Sequence, residues 1–333
     1  MLEIFLVALN PLLILFFCLS IGFILKKANL LPENASKVMA KLELWVFCPA
    51  LSFSTMAKNF NIDSIGTHLT NIIISSIAIT IAILLAIFLS KFFIKEEVYE
   101  KYVYQYALAF GNMGYVGDPI ILALFGLEGL AYYKITTLPL SIMVYLWGLN
   151  ILTPKALKKN NFFGSLINAP IIALLLGMIV GITGLGNLLY TTDNFFTDLL
   201  SNLGACMGPV AMILAGVTIG SYNVKKMLTN KKAYFVTLLR LIFIPTFIIA
   251  LMFGLKELLN LILPLNINNN VLILLLIAFA APLGLNTVVF PEAFGGDTST
   301  GASMAMISHT LCVITLPIMY ALATLMFGPV QIF

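Results

Sequence analysis

Apolar residues along this chain gather into long runs, far too many for one buried core. Ten can be drawn, over 3–25, 36–57, 67–94, 102–126, 130–152, 163–183, 196–220, 233–255, 269–294 and 301–327. Most reach the ~20 residues that an α-helix needs to cross a bilayer. The pattern predicts an all-α polytopic membrane protein with 10 transmembrane helices.

Two of these spans are interrupted in the same way. Span four reads AFGNMGYVGDPIILALFG from Ala109 to Gly126, and span nine reads AFAAPLGLNTVVFPEAFG from Ala278 to Gly295; each position of the first maps onto the second by adding 169. Between the shared ends lie Gly, Pro, Asn and small polar residues. Free backbone amides or carbonyls in hydrocarbon cost several kcal/mol, so such backbone persists there only where it lines a polar cavity. Paired interruptions in corresponding halves mark the substrate site of a secondary transporter.

Composition agrees: 61% of the residues are hydrophobic, 10% are charged, and the mean hydropathy is +1.04. The distribution of charge sets orientation. Of the 18 Lys and Arg, fourteen lie on the odd-numbered connections, among them Lys155, Lys158 and Lys159; Lys58, Lys134 and Lys256 lie on the even ones, and Arg240 lies inside span eight. The positive-inside bias then makes the odd connections cytoplasmic and both termini extracytoplasmic in the cell membrane. With no basic patch there is no reason to expect a nucleic-acid partner. The first span lacks a basic n-region and an Ala-x-Ala site, so it is expected to be a retained helix rather than a signal peptide.

Five spans per half, starting on opposite sides, make two inverted five-helix repeats, 1–152 and 163–333, joined by a cytoplasmic linker over 153–162. Shorter echoes agree in order: CPAL at Cys48 to Leu51 with GPVA at Gly208 to Ala211, and TLP at Thr137 to Pro139 with TLP at Thr315 to Pro317.

Ten helices with GNMGYVGDP in span four, a proline-containing break in span nine and TLP in span ten resemble the auxin efflux carrier family, whose plant members are the PIN proteins, over the whole chain. The resemblance implies a scaffold domain from helices 1, 2, 6 and 7, a transport domain from helices 3–5 and 8–10, broken helices 4 and 9 crossing at the midplane, elevator-like movement, and export of organic anions such as auxin, malate or malonate. The family's asparagine matches Asn112 and its crossover proline Pro119. Two departures stand out. The long hydrophilic loop of many plant members has no counterpart, so its phosphorylation-type regulation is not expected, and Asp118 stands where the family is usually apolar.

Helix polarity explains why such a crossing would hold an anion. Span four is expected to restart near Asp118-Pro119, a good N-cap followed by proline at the first helical position, and span nine at Asn286-Thr287. Two half-helix N-termini then meet near mid-membrane, each with unpaired amides and roughly half a positive charge. The candidate substrate-binding residues are Asn112, Asn286, Pro119, Gly114, Pro282 and Tyr115, and the candidate ion-coupling residues are Asp118, His309 and Arg240.

Each has a plainer reading. Asn112 satisfies broken backbone, Asn286 and Asp118 cap the restarting helices, Arg240 snorkels to the cytoplasmic interface, and His309 is an interior histidine with its polar atoms satisfied. Glu43, Glu292 and Asp297 are expected at solvated span ends, while Tyr106 and Tyr145 either line the cavity or pack. Asp118 could couple the cycle to Na+ or H+, because an ionised carboxylate at the crossing opposes an anion.

Cysteines in CxxC spacing, HExxH, GxSxG and Walker loops are all missing, so neither an enzyme nor a metal site is indicated. The expected partners are a small organic anion, the lipid bilayer and a second copy of the chain in a homodimer, with no cofactor. Two alternatives stand beside the anion carrier: a sodium- or proton-coupled symporter resembling the bile-acid symporters, and a non-transporting receptor on a carrier scaffold.

Overall fold

The structure, a computed structural model, describes residues 2–60, 62–96, 98–154, 169–191, 194–262 and 269–328. The described residues form helices and no strand beyond one isolated bridge between Gly111 and Leu283. The lysines expected in the central linker fall outside the described residues.

In chain order the first helices are α1 (Leu2–Lys27), α2 (Ala35–Leu42), α3 (Cys48–Asn59), α4 (Ile62–Phe93) and α5 (Tyr99–Ala109). They are followed by α6 (Asp118–Thr136), α7 (Leu138–Met143), α8 (Leu149–Leu152), α9 (Ala169–Ile182), α10 (Leu185–Thr191) and α11 (Phe195–Gly220). Last come α12 (Val224–Leu228), α13 (Lys231–Leu238), α14 (Ile244–Ile262), α15 (Asn270–Ala280), α16 (Asn286–Phe294) and α17 (Ser299–Phe327). Single π-helical turns at Glu43–Phe47, Met113–Gly117, Val144–Gly148 and Leu239–Phe243 join α2 to α3, lead into α6, join α7 to α8, and join α13 to α14.

Among the described residues five helices are long and apolar enough to span a membrane: Leu9–Lys27, Leu69–Phe93, Phe195–Gly220, Lys231–Ile262 and Ser299–Phe327. Two bent pairs raise the number to seven if each is one span, Gly129–Thr136 with Leu138–Leu152 at 52° and Ala169–Ile182 with Leu185–Thr191 at 92°. The other expected spans are divided. The stretch 36–57 becomes α2, a π-turn and α3, and the stretches 102–126 and 269–294 each split into two shorter helices. Lipid-facing apolar side chains such as Ile14, Phe17, Leu84 and Phe88 remain exposed on α1 and α4, as expected of a chain whose outer solvent is hydrocarbon.

The half-helices after the two breaks end at glycines with positive φ, Gly126 (φ 67°, ψ −166°) and Gly295 (φ 75°, ψ 29°), which the 169-residue shift maps onto each other. Only a residue without Cβ adopts such angles without strain. At Gly126 the helix is kinked, and the remainder of α6, from Gly129, belongs with the next stretch.

Around the breaks, α1 lies along α11, and α3 along α9 and α11. The α1–α11 approach depends on Gly22 and Gly216, where an added Cβ would strike the carbonyls of Ile213 and Leu19. α4 packs on α5 and α7, and α15, buried at every residue, is enclosed by α14 and α17. Apolar all round, α15 has no solvated face to present.

Candidate functional site

The two breaks cross and hydrogen-bond to each other. The Asn112 amide donates to the Pro282 carbonyl at 2.7 Å, the Gly284 amide donates to the Phe110 carbonyl at 2.9 Å, and the Leu283 amide donates to Ser308 Oγ at 2.9 Å. Phe110 is extended (φ −113°, ψ 125°), as is Ala281 ahead of Pro282 (φ −55°, ψ 150°), where a following proline disfavours helix. Amides at the start of the restarted helix, on Met113, Gly114 and Tyr115, have no acceptor among the described residues. They carry the positive end of that half-helix.

A cavity of about 80 Å³ opens at these amides. Its wall includes Asn112, Gly114, Tyr115, Asp118 and Lys134 from the first half and Gly284 and Asn286 from the second, closed by Tyr106, Tyr145, Cys48 and Met207. Asn112 is buried; its Nδ2 lies 2.9 Å from His309 Nε2, and His309 Nδ1 lies 2.9 Å from the Ala305 carbonyl. With Asn112 donating, His309 is the neutral imidazole that donates from Nδ1. Asn286 Nδ2 donates to Tyr106 Oη at 3.0 Å. Lys134 Nζ pairs with Asp118 Oδ2, while the buried Asp118 Oδ1 has no partner among the described residues. The wall thus combines amide donors, one cation and its carboxylate.

Behind the crossing sits Arg240, fully buried in its π-turn. Its Nη1 donates to the Leu108 and Ala109 carbonyls at 3.1 and 3.4 Å, and its guanidinium lies 5.9 Å from the Phe279 ring centre. A side chain on Gly111 would collide with the guanidinium and with the Ala278 carbonyl, which places Arg240 between the C-terminal ends of α5 and α15. A cation there offsets the negative ends of both half-helices.

Comparison with known families matches residues 7–320 to the family described as membrane transport protein. The chain belongs to that family, the auxin efflux carriers. It is a membrane transporter of a family that is not enzymatic. No curated protein matches it.

Of the carrier's expected site residues, Asn112, Asn286, Gly114, Tyr115 and Asp118 share the cavity wall. Pro119 and Pro282 do not line it: Pro282 serves through its carbonyl, and Pro119 occupies the first turn of α6. His309 and Arg240 stand behind the wall, one holding Asn112 and the other holding the end of α5.

Four expectations are corrected. Asp118 makes no cap hydrogen bond, because the π-turn starts the helix five residues earlier at Met113 and leaves no free amide beside Asp118. Asn286 does not cap α16 either; its amide is turned toward Tyr106. Arg240 does not snorkel, since buried carbonyls draw its guanidinium inward. Glu43 is fully buried rather than solvated at a span end. Half-buried Glu292 accepts from Ser36 Oγ at 2.6 Å, and exposed Asp297 accepts from the amide and hydroxyl of Ser299.

Lys134 is the charged residue of the cavity wall that sequence reasoning missed by counting it among loop cations. The signal was present: Lys134 falls inside the span drawn over 130–152, where a lysine needs a partner.

Proposed function

We propose that the carrier moves small organic anions, carboxylates such as auxin-like acids, malate or malonate, across the cell membrane, with the binding site at the crossing of the two broken helices. One observation carries this reading: the free amides of Met113 to Tyr115, the side chains of Asn112 and Asn286, and Lys134 converge on one cavity. A carboxylate there accepts from amides at a positive helix end and from the remaining N–H groups of Lys134. The Asp118–Lys134 pair keeps the empty cavity neutral, so neither charge is left alone between turnovers.

Alternating access is elevator-like in this reading. The scaffold is the layer in which α1 packs on α11 and α3 on α9, and the moving unit carries α5, α6, α15 and α16 with their neighbours. Ten spans in two inverted repeats, extracytoplasmic termini and a homodimer complete the proposal. The 169-residue correspondence supports the repeat, now joined by the paired glycines Gly126 and Gly295. Reassigning Lys134 to the cavity strengthens the charge bias, since Lys58 and Lys256 alone then oppose the fourteen cations of the odd connections.

Sodium coupling is the weaker alternative. Half-helix C-terminal carbonyls are where such carriers hold a coupling cation, and here Arg240 already occupies those of Leu108 and Ala109.

Counterflow of labelled malonate, malate and indole-3-acetate in proteoliposomes tests the proposal. Exchange of at least one of them in sodium-free medium is expected. Binding without flux would move the chain to the receptor class, and exchange of amines but no carboxylate would overturn the anion site.

A further inference from the structure

Glu43 lies in the π-turn between α2 and α3. It is fully buried, and neither carboxylate oxygen has a hydrogen-bond partner among the described residues. An ionised carboxylate so placed surrenders its hydration and gains neither donor nor cation in return. The elements packed against the turn are α2, α3, α9, α11 and α16. Their titratable groups do not supply a partner. Lys37, Lys41, Lys58 and Asp198 are exposed, Cys206 is partly exposed, Glu292 is engaged by Ser36, and α9 carries no such group. Lys134 is held by Asp118.

The Cys48 amide donates to the Glu43 carbonyl, and Cys48 and Tyr115 both lie within electrostatic reach of the Glu43 carboxyl. Both belong to the cavity wall, so Glu43 stands one side chain behind the anion site. π-turns inside helices recur at functional positions because the extra residue turns a side chain out of its regular register. Here it turns a carboxyl into an apolar interior.

We propose that Glu43 is a proton-binding site linked to the anion cavity: it carries a proton in this conformation, and an anion occupies the cavity only while that proton is in place. The linkage rests on the organic-anion reading above. An ionised Glu43 repels a bound carboxylate through Tyr115 and Cys48, so proton and anion strengthen each other's binding reciprocally. The proton leaves to water when the contact between the turn and α16 opens, giving carboxylate and hydronium with no other reactant. One proton then accompanies one anion through the cycle.

The proton itself is tested without any substrate. Infrared difference spectra at neutral pH should show the carbonyl stretch of a protonated carboxyl in the unmutated protein and in Asp118→Asn, and its loss in Glu43→Gln. Absence of the band from the unmutated protein, or its persistence in Glu43→Gln, overturns the site. Should Glu43→Gln fail to fold, Glu43→Leu, which places no polar atom in the same apolar surroundings, replaces it.

The linkage is tested by calorimetric titration with malonate from neutral pH upward, where the ligand's own carboxylates are already ionised. Affinity in the unmutated protein should fall by about tenfold per pH unit once Glu43 ionises, and the Glu43→Gln affinity should not vary with pH. An unmutated affinity that ignores pH, or a Gln variant that keeps the dependence, overturns the linkage. If malonate, malate and indole-3-acetate bind neither protein at any pH, the anion reading fails, and the infrared band decides the proton site independently.

Discussion

The first and second breaks are matched in backbone and opposed in chemistry. Both interrupt an apolar stretch, both restart as a shorter, largely buried helix, and both half-helices end at a positive-φ glycine. Yet the first break carries the Asp118–Lys134 pair, a π-turn and free amides at Met113 to Tyr115. The second is closed by its neighbours: Ser308 takes the Leu283 amide, Tyr106 takes the Asn286 side chain, and among the described residues it contributes no charged side chain to the cavity wall. The matched breaks therefore build the crossing together, while the charged residues of the cavity wall come from the first half alone among the described residues.

The largest expected effect breaks the asymmetry at its charged side. Lys134→Ala leaves Asp118 as an uncompensated buried charge, which should cost roughly 3–5 kcal/mol and abolish anion binding. Adding Asp118→Asn should restore most of the stability without restoring affinity. Thermal unfolding in detergent measures the first effect and calorimetry the second; a double variant no more stable than Lys134→Ala would show that the pair is not the source of the loss.

Removing the support shared by both halves comes next. Arg240→Ala strips the donor from the buried carbonyls of Leu108 and Ala109, at a cost of about 2–4 kcal/mol. Denaturation should show the loss, and Arg240→Lys should recover part of it; an Arg240→Ala protein as stable as the unmutated one would remove Arg240 from the crossing.

The amides then grade the two halves directly. Asn112→Ala should weaken anion binding by about 1.5–3 kcal/mol, roughly ten- to a hundredfold. Asn286→Ala, in the break that brings no charged residue to the cavity wall, should cost about 1 kcal/mol. Equal losses in calorimetric titration would mean that both breaks contact the anion alike.

The smallest effect sharpens the backbone comparison. Gly126 occupies a region open almost only to glycine, so Gly126→Ala should destabilise by about 2 kcal/mol; Gly295 is left-handed helical, and Gly295→Ala should cost about 1 kcal/mol. Nothing lies within 4 Å of a Cβ added at either position, so the difference in melting temperature reads backbone strain alone.

The sequence by itself determined the class of the protein, the family and the place of both breaks. These depend on quantities local to the chain: the length of an apolar run, the cost of unpaired backbone in hydrocarbon, and the 169-residue recurrence. It also determined five of the residues on the cavity wall, because Asn112, Gly114, Tyr115, Asp118 and Asn286 fall within the breaks themselves. Only the tertiary structure decided what their side chains do. Asp118 reads as a helix cap because Asp before Pro caps well in isolation, but the π-turn starts the helix earlier and frees its carboxylate for Lys134, sixteen residues away. Glu43, Tyr115, Tyr145 and Arg240 each sit in a π-turn, and composition does not announce one. Such a turn trades regular hydrogen bonding for a shift of side-chain register. That exchange is favourable only where neighbouring helices need the shifted group, so its place is set by packing between segments far apart in the chain.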